Sequence, residues 1–169
     1  MLWRRVVVVA EELALGNTQV GRCGKILVQY HLLRHGIESA PITADVGIGL
    51  VAYSPWTKRP FTLQVETTLR PNPAGLKGMA LYWWVVALRG EPAEFVLLVE
   101  LQHERIWALT REELATVAQA ASGGRLHVFL YTDRDARPLT GAEGEPSTVF
   151  LLKDRLGMLF GRRPGLHWR

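Results

Sequence analysis

The first regular pattern in the chain is a helical repeat of apolar residues between positions 18 and 35. These residues recur every three or four positions, with Leu27 beside them: Ile26, Tyr30, Leu33 and Ile37. This spacing is that of one face of an α-helix. Gly36 then suits the left-handed conformation in which helices often end. The pattern predicts a long helix that turns this apolar face towards the core.

Strand-like patterns follow in five separate stretches of the chain. They are residues 46–53, 61–68, 79–88, 94–101 and 126–131, which are rich in β-branched and aromatic residues. A turn-forming sequence, Arg-Gly-Glu-Pro, separates the third stretch from the fourth, so these two are predicted to form an antiparallel hairpin. Along the second stretch the polar residues fall on one face, which brings Gln64 and Glu66 together.

Two further helices are predicted in the second half of the chain. Thr110 and Glu113 have the spacing of a capping box, which predicts a helix from there to about Ala121. A short closing helix is predicted over 149–160. Helices interspersed with strands of this kind describe a mixed sheet with helices packed against it, which is the α/β class.

Length and composition favour one soluble domain. A chain of 169 residues, 48% of them hydrophobic, can bury a core without disulfides or metals. The apolar run at 6–10 is too short for a signal peptide or a membrane span, so a cytoplasmic protein without membrane contact is expected. The single cysteine, Cys23, excludes an internal disulfide and a cysteine-based zinc site.

Net charge is distributed unevenly along the chain. The formal net charge is +4, and all of it lies beyond residue 152, because residues 1–152 are balanced. This predicts a neutral α/β domain over 1–152 and a basic tail over 153–169. Arg162 and Arg163 in that tail are candidates for sequence-independent contacts with DNA phosphates.

Four short segments of the first half resemble the core of a nuclease superfamily. They are residues 24–28, 32–37, 45–52 and 63–67. In this order they are similar to the PD-(D/E)xK domains of the restriction-endonuclease-like superfamily, and the similarity runs from about residue 21 to residue 68. The resemblance implies a three-layer α/β/α sandwich with a mixed central sheet.

The resemblance also implies a Mg²⁺-dependent site, and the chain departs from the family at the site positions. That chemistry uses a carboxylate ligand, a second ligand two residues before a lysine, and the lysine itself. Here Gly49 replaces the metal-binding aspartate, Glu66 replaces the lysine and Lys25 replaces a helix glutamate. Only Gln64 matches. A nuclease-fold protein that has lost catalysis and needs no cofactor is therefore expected.

Two hypotheses give Lys25 and Glu66 a further role. Their charges are exchanged relative to the family, so an ion pair of reversed polarity could keep a buried polar face paired. Alternatively the site has moved, and Asp45 and Glu66 bind Mg²⁺ with Lys25 as the additional cation. The second hypothesis describes a divergent Mg²⁺-dependent DNA endonuclease.

DNA and other protein subunits are the partners that the sequence suggests. Trp56, Lys58 and Arg59 lie in a loop predicted to border the cleft, where they could contact a DNA strand. An inactive protein would then serve as a DNA-binding or regulatory subunit beside an active nuclease, as a homodimer. A different alternative is a structural homo-oligomer without a nucleic-acid role, with an interface formed by the predicted hairpin and its Trp83-Trp84 strand.

Overall fold

The computed structural model describes residues 15–43, 47–73, 80–87, 93–121, 123–131, 145–146 and 150–161. Its helices are α1 (Asn17–Leu33), α2 (Arg111–Val117) and α3 (Leu152–Phe160). Its strands are β1 (Glu38–Pro41), β2 (Leu50–Ser54), β3 (Arg59–Thr68), β4 (Asn72–Pro73), β5 (Ala80–Ala87), β6 (Phe95–Glu100), β7 (Arg105–Thr110), β8 (Gln119–Ala121), β9 (Arg125–Tyr131) and β10 (Glu145–Pro146). Within these ranges, no helix combines the length and the apolar character needed to cross a membrane.

The strands are arranged in two sheets. The first sheet has the order β1-β2-β3-β6-β7, and β3 and β6 are parallel while the other neighbours are antiparallel. The second sheet has the order β10-β9-β5-β4, and β8 pairs with β9. The predicted α/β class with a mixed central sheet is confirmed.

One face of the first sheet packs against α1 and α3. Val28 and Leu32 of α1 and Phe160 of α3 are fully buried against it. The ring of Phe160 meets those of Phe61 and Phe95 edge-on, with centroid distances of 5.3 and 5.6 Å. This aromatic cluster fixes α3 on the sheet at the turn between β2 and β3.

The other face of the first sheet packs against the second sheet and α2. Trp107 lies between the sheets, with its ring centroid 4.9 Å from that of Tyr82 and 5.2 Å from that of Trp84. The indole Nε1 of Trp84 donates a hydrogen bond to the carbonyl of Val99 at 3.1 Å. Because both faces are covered, every residue of β6 is buried, and the strand has a continuous apolar sequence up to its final glutamate.

Helix α1 is present, but it buries a different face from the predicted one. Three of the residues expected in the core are largely exposed: Ile26, Tyr30 and Leu33. The buried residues are Gly24, Val28 and Leu32. Helix α1 approaches β3 so closely that a Cβ atom at Gly24 would lie 1.9 Å from Oγ1 of Thr67. A glycine therefore forms this contact. The spacing of apolar residues along the helix does not reveal a contact of this kind.

The predicted hairpin between residues 79–88 and 94–101 is wrong. Both stretches form strands, but β5 lies in the second sheet and β6 in the first. β6 instead forms an antiparallel hairpin with β7 through the turn 101–104. Apolar periodicity identifies strands, whereas the choice of partner depends on packing between distant parts of the chain.

The closing helix belongs to the core. α3 agrees with the helix predicted over 149–160, and it buries Leu156 and Leu159 besides Phe160. The guanidinium of Arg155 donates to the carbonyl of Ala108 at 2.8 Å and also binds the carboxylate of Glu113. The first residues of the basic tail predicted from charge therefore lie in this helix, and the division of the chain at residue 152 stays a prediction.

Candidate functional site

A cleft of about 350 Å³ lies beside the start of β2 and the second half of β3. It brings together the predicted site residues Lys25, Gln64 and Glu66, and Gly49 lies among them. The rest of its lining comes from residues that follow β1 or precede β2, from β3 and from the end of β5: Ile42, Thr43, Gly47, Ile48, Val65 and Ala87. Residues far apart in the sequence therefore meet as the nuclease resemblance implies.

Lys25 reaches the cleft because α1 is held close to β3. The preceding residue, Gly24, forms the tight contact with Thr67. The Cε atom of Lys25 lies 3.1 Å from the place that a Cβ atom at Gly49 would take. The lysine side chain therefore occupies the space beside position 49, and the end of that flexible chain would have to shift if residue 49 carried a side chain.

Gln64 and Glu66 are on the same face of β3, as predicted. The amide Nε2 of Gln64 donates to Oε1 of Glu66 at 2.8 Å and to the carbonyl of Ala87 at 3.0 Å. Gln64 thus connects β3 to β5 of the second sheet and holds the Glu66 carboxylate in one place. Gln64 is buried, whereas Glu66 is partly accessible from the cleft.

Burial raises the pKa of Glu66, while the hydrogen bond from Gln64 and the charge of Lys25 oppose this change. The net shift of the pKa is upward. Within the described part of the chain, the predicted direct ion pair between Lys25 and Glu66 is not formed. Lys25 acts on the carboxylate through space, without the contact that the exchange of charges suggested.

The side chains of the cleft are a poor match for Mg²⁺, which binds through several oxygen ligands, usually including carboxylates. Gly49 offers no side chain, and Glu66 is the one carboxylate among the described residues of the cleft lining. Across the described ranges, no three His, Cys, Asp or Glu side chains are grouped to hold a metal ion. Asp45, the other predicted ligand, lies outside the described residues.

The turn 55–58 lies at the opposite end of the β2–β3 hairpin from the cleft. In this antiparallel pair Leu50 is opposite Leu63, next to the cleft, and Ser54 is opposite Arg59, next to the turn. The expectation that Trp56 and Lys58 border the cleft is therefore wrong. A loop that directly follows a site strand in sequence can lie at the end of that strand away from the site. The family resemblance does not show at which end the loop lies.

The predicted DNA-contact residues near this turn have different environments. Trp56 is partly buried against the core, and Lys58 is exposed with a left-handed backbone φ of 55°. Arg59 binds the carboxylate of Glu94 at 2.9 Å and lies over the ring of Phe61 at 3.9 Å. The other two predicted contacts, Arg162 and Arg163, lie outside the described residues.

A buried carboxylate at the end of β6 was not predicted from the sequence. Glu100 is fully buried, and its Oε2 accepts the backbone N–H of His103 at 3.1 Å and lies 3.0 Å from the ring Nδ1 of that residue. Nearby, Arg105 donates to the hydroxyl of Tyr82 at 2.9 Å. The contacts of Glu100 close the β6–β7 turn, and that of Arg105 joins β7 to β5 of the second sheet. The available signal was an acid at the end of an otherwise apolar strand.

Comparison with known proteins supports a nuclease-like fold. The chain is similar in structure to a bacterial homing endonuclease, I-Ssp6803I, with a TM-score of 0.57 and 15% sequence identity. The similarity covers 85% of this chain and 91% of that chain. No protein-family model matches the sequence, and no curated protein does. At this level of identity the likeness concerns the nuclease-like fold alone, and it spans most of the chain.

Proposed function

We propose that this protein is a degenerate member of the PD-(D/E)xK superfamily that binds DNA without cleaving it. The observation that carries the proposal is the pairing of Lys25 with Gly49 in the cleft. A cation lies where the family resemblance implies a metal-binding aspartate. The protein would act as a DNA-binding or regulatory subunit beside an active nuclease.

The proposed loss of catalysis is supported by what hydrolysis of a phosphodiester requires. A divalent cation activates water and stabilises the charge that develops on the phosphate, and it needs several oxygen ligands for this. The described cleft offers the carboxylate of Glu66, which accepts a hydrogen bond from Gln64. We propose that no cofactor takes part.

DNA binding is supported by the positive charge of the chain and its distribution. The net charge is +4, and Lys58 is an exposed cation outside the cleft. Cations of this kind attract the phosphate backbone regardless of base sequence. Such binding is sensitive to salt, which gives it a simple experimental signature.

The test is incubation of the purified protein with supercoiled plasmid in Mg²⁺, in Mn²⁺ and in chelator. We expect no nicking at high protein concentration, and the Glu66→Ala variant should give the same background. Metal-dependent nicking that the Glu66→Ala change abolishes would instead support the relocated site with Asp45 and Glu66. Anisotropy of a labelled duplex at low salt tests binding, and its absence would contradict the DNA-binding role.

A further inference from the structure

We propose that the Lys25 ammonium binds a DNA phosphate in the cleft, so that a built-in cation replaces the divalent ion of an active site. This inference rests on the proposed function and names the group by which the cleft holds DNA. It arises from the poor match between the described cleft residues and Mg²⁺. The expected contact needs no metal.

The position of Lys25 suits this role. Close packing of Gly24 on Thr67 fixes the part of α1 that carries the lysine, and Gly49 leaves room beside its Cε atom. The ammonium forms no hydrogen bond or ion pair with any of the described residues. None of the described residues engages its three N–H donors, and these donors suit phosphate oxygens.

The neighbouring acid does not cancel this positive charge. Within the described cleft lining, Glu66 is the acidic side chain that faces Lys25, and it lies beyond ion-pair distance. The amide of Gln64 donates to its Oε1, and burial shifts its pKa upward. The hydrogen bond favours the charged carboxylate, but burial outweighs it, and the net upward shift of the pKa reduces the repulsion that Glu66 would exert on an approaching phosphate.

The chemistry of the contact favours a phosphate of the DNA backbone over the edge of a base. A lysine binds phosphate as a point charge, without the paired geometry by which arginine recognises guanine. A phosphate contact positions DNA but carries no information about base sequence. Binding through Lys25 should therefore be independent of metal, independent of sequence and sensitive to salt.

The experiment measures the affinity of a labelled duplex by anisotropy in chelator, at a series of salt concentrations. Lys25→Met should weaken binding about three-fold or more and lower the slope of log affinity against log salt by about one. Lys25→Arg should retain most of the affinity, because it keeps the charge. Arg22→Met is the matched control, since it removes an exposed charge from the same helix but does not line the cleft.

Two further variants change the charge around an intact Lys25. Glu66→Gln removes the neighbouring acid and should tighten binding. Gly49→Asp places a carboxylate beside the lysine and should weaken binding in chelator as much as Lys25→Met does. These variants keep the inference testable if Lys25→Met does not fold.

The outcomes separate this inference from the proposed function. Wild-type binding with equal losses for Lys25→Met and Arg22→Met, or with an unchanged salt slope, would overturn the role of Lys25 and leave DNA binding standing. Unchanged affinity in Glu66→Gln and Gly49→Asp would also overturn it. A wild-type protein that does not bind DNA at low salt would overturn both.

Discussion

The two ends of the β2–β3 hairpin differ in the hydrogen bonding of their polar groups. At the turn, the buried hydroxyl of Ser54 donates to the carbonyl of Phe160 at 2.6 Å and accepts the N–H groups of Trp56 and Thr57. At the cleft, the ammonium of Lys25 has no hydrogen-bond partner among the described residues. The polar groups at the turn are therefore hydrogen-bonded within the chain. At the cleft, the described residues leave the Lys25 ammonium without a hydrogen bond.

This difference separates stability from function along one pair of strands. Satisfied buried groups resist change, since removal of one partner leaves the other unpaired. A partly exposed, unpaired cation contributes little to the free energy of unfolding, because water screens it. Changes at the turn should therefore act mainly on stability, and charge changes at the cleft mainly on binding. Gly24 is the exception, since it fixes the helix behind the cleft.

The largest expected effect is at the turn end, with Phe160→Ala. This change removes a fully buried ring from its contacts with Phe61 and Phe95. It should lower the free energy of unfolding by about 3–5 kcal/mol, measured by denaturant titration. Met158→Ala, at an exposed position of the same helix, is the control. Equal losses of unfolding free energy in the two variants would show that the Phe160 ring does not stabilise the turn end of the hairpin.

The second effect concerns the helix behind the cleft. Gly24→Ala would place a Cβ atom 1.9 Å from Oγ1 of Thr67, so α1 must shift, at about 1–3 kcal/mol. Gly21→Ala, on the same helix, meets no atom within 4 Å and should be neutral or stabilising. Thermal unfolding compares the two variants. Thr67→Ala should restore part of the loss, and a failure to do so would contradict the contact.

Ser54→Ala should have a smaller effect at the turn. It leaves the carbonyl of Phe160 and two backbone N–H groups without their hydroxyl partner. The expected loss is about 1 kcal/mol in the free energy of unfolding, and DNA affinity should not change. Denaturant titration and anisotropy on the same preparation check both statements. A change in affinity without a change in stability would reverse the assignment of the two ends.

The smallest effect is the pH-dependent one of Glu66→Gln. Because burial raises the folded-state pKa of Glu66 above 4.5, the wild-type fold loses stability as pH rises through that pKa. The amide variant lacks this loss, so it should melt slightly higher than wild type near neutral pH. The advantage should vanish below the unfolded pKa, where the carboxyl is protonated in both states. A constant difference at every pH would contradict the upward shift.

Local features of the fold could be read from the sequence. The capping box is confirmed, because Thr110 and Glu113 each accept the other's backbone N–H through their side chains. Gly36 follows α1 with a φ of 71°. The pairing of strands and the buried face of α1 could not be predicted from the sequence. Both depend on contacts between residues far apart in the chain, such as Gly24 and Thr67.

Part of the candidate site was also predictable. The shared face of Gln64 and Glu66 follows from the two-residue period of a strand. The identification of Lys25 and Gly49 as site positions came from the family resemblance alone. The direct ion pair was wrong, because a resemblance places residues in one cleft without fixing the distances between their charged atoms. The role of Asp45 stays a prediction.

Arg155 has a consequence for how this protein can assemble. It occupies the carbonyl of Ala108 on the edge strand β7, and the N–H of Ala108 donates to the carbonyl of Phe150 at 2.8 Å. At the other edge, β1 is short, ends in Pro41 and has the carbonyl of Ser39 bound by Gln29. Blocked edges of this kind disfavour growth of the sheet from chain to chain. Self-association by pairing of strands at the edges of the first sheet is therefore disfavoured.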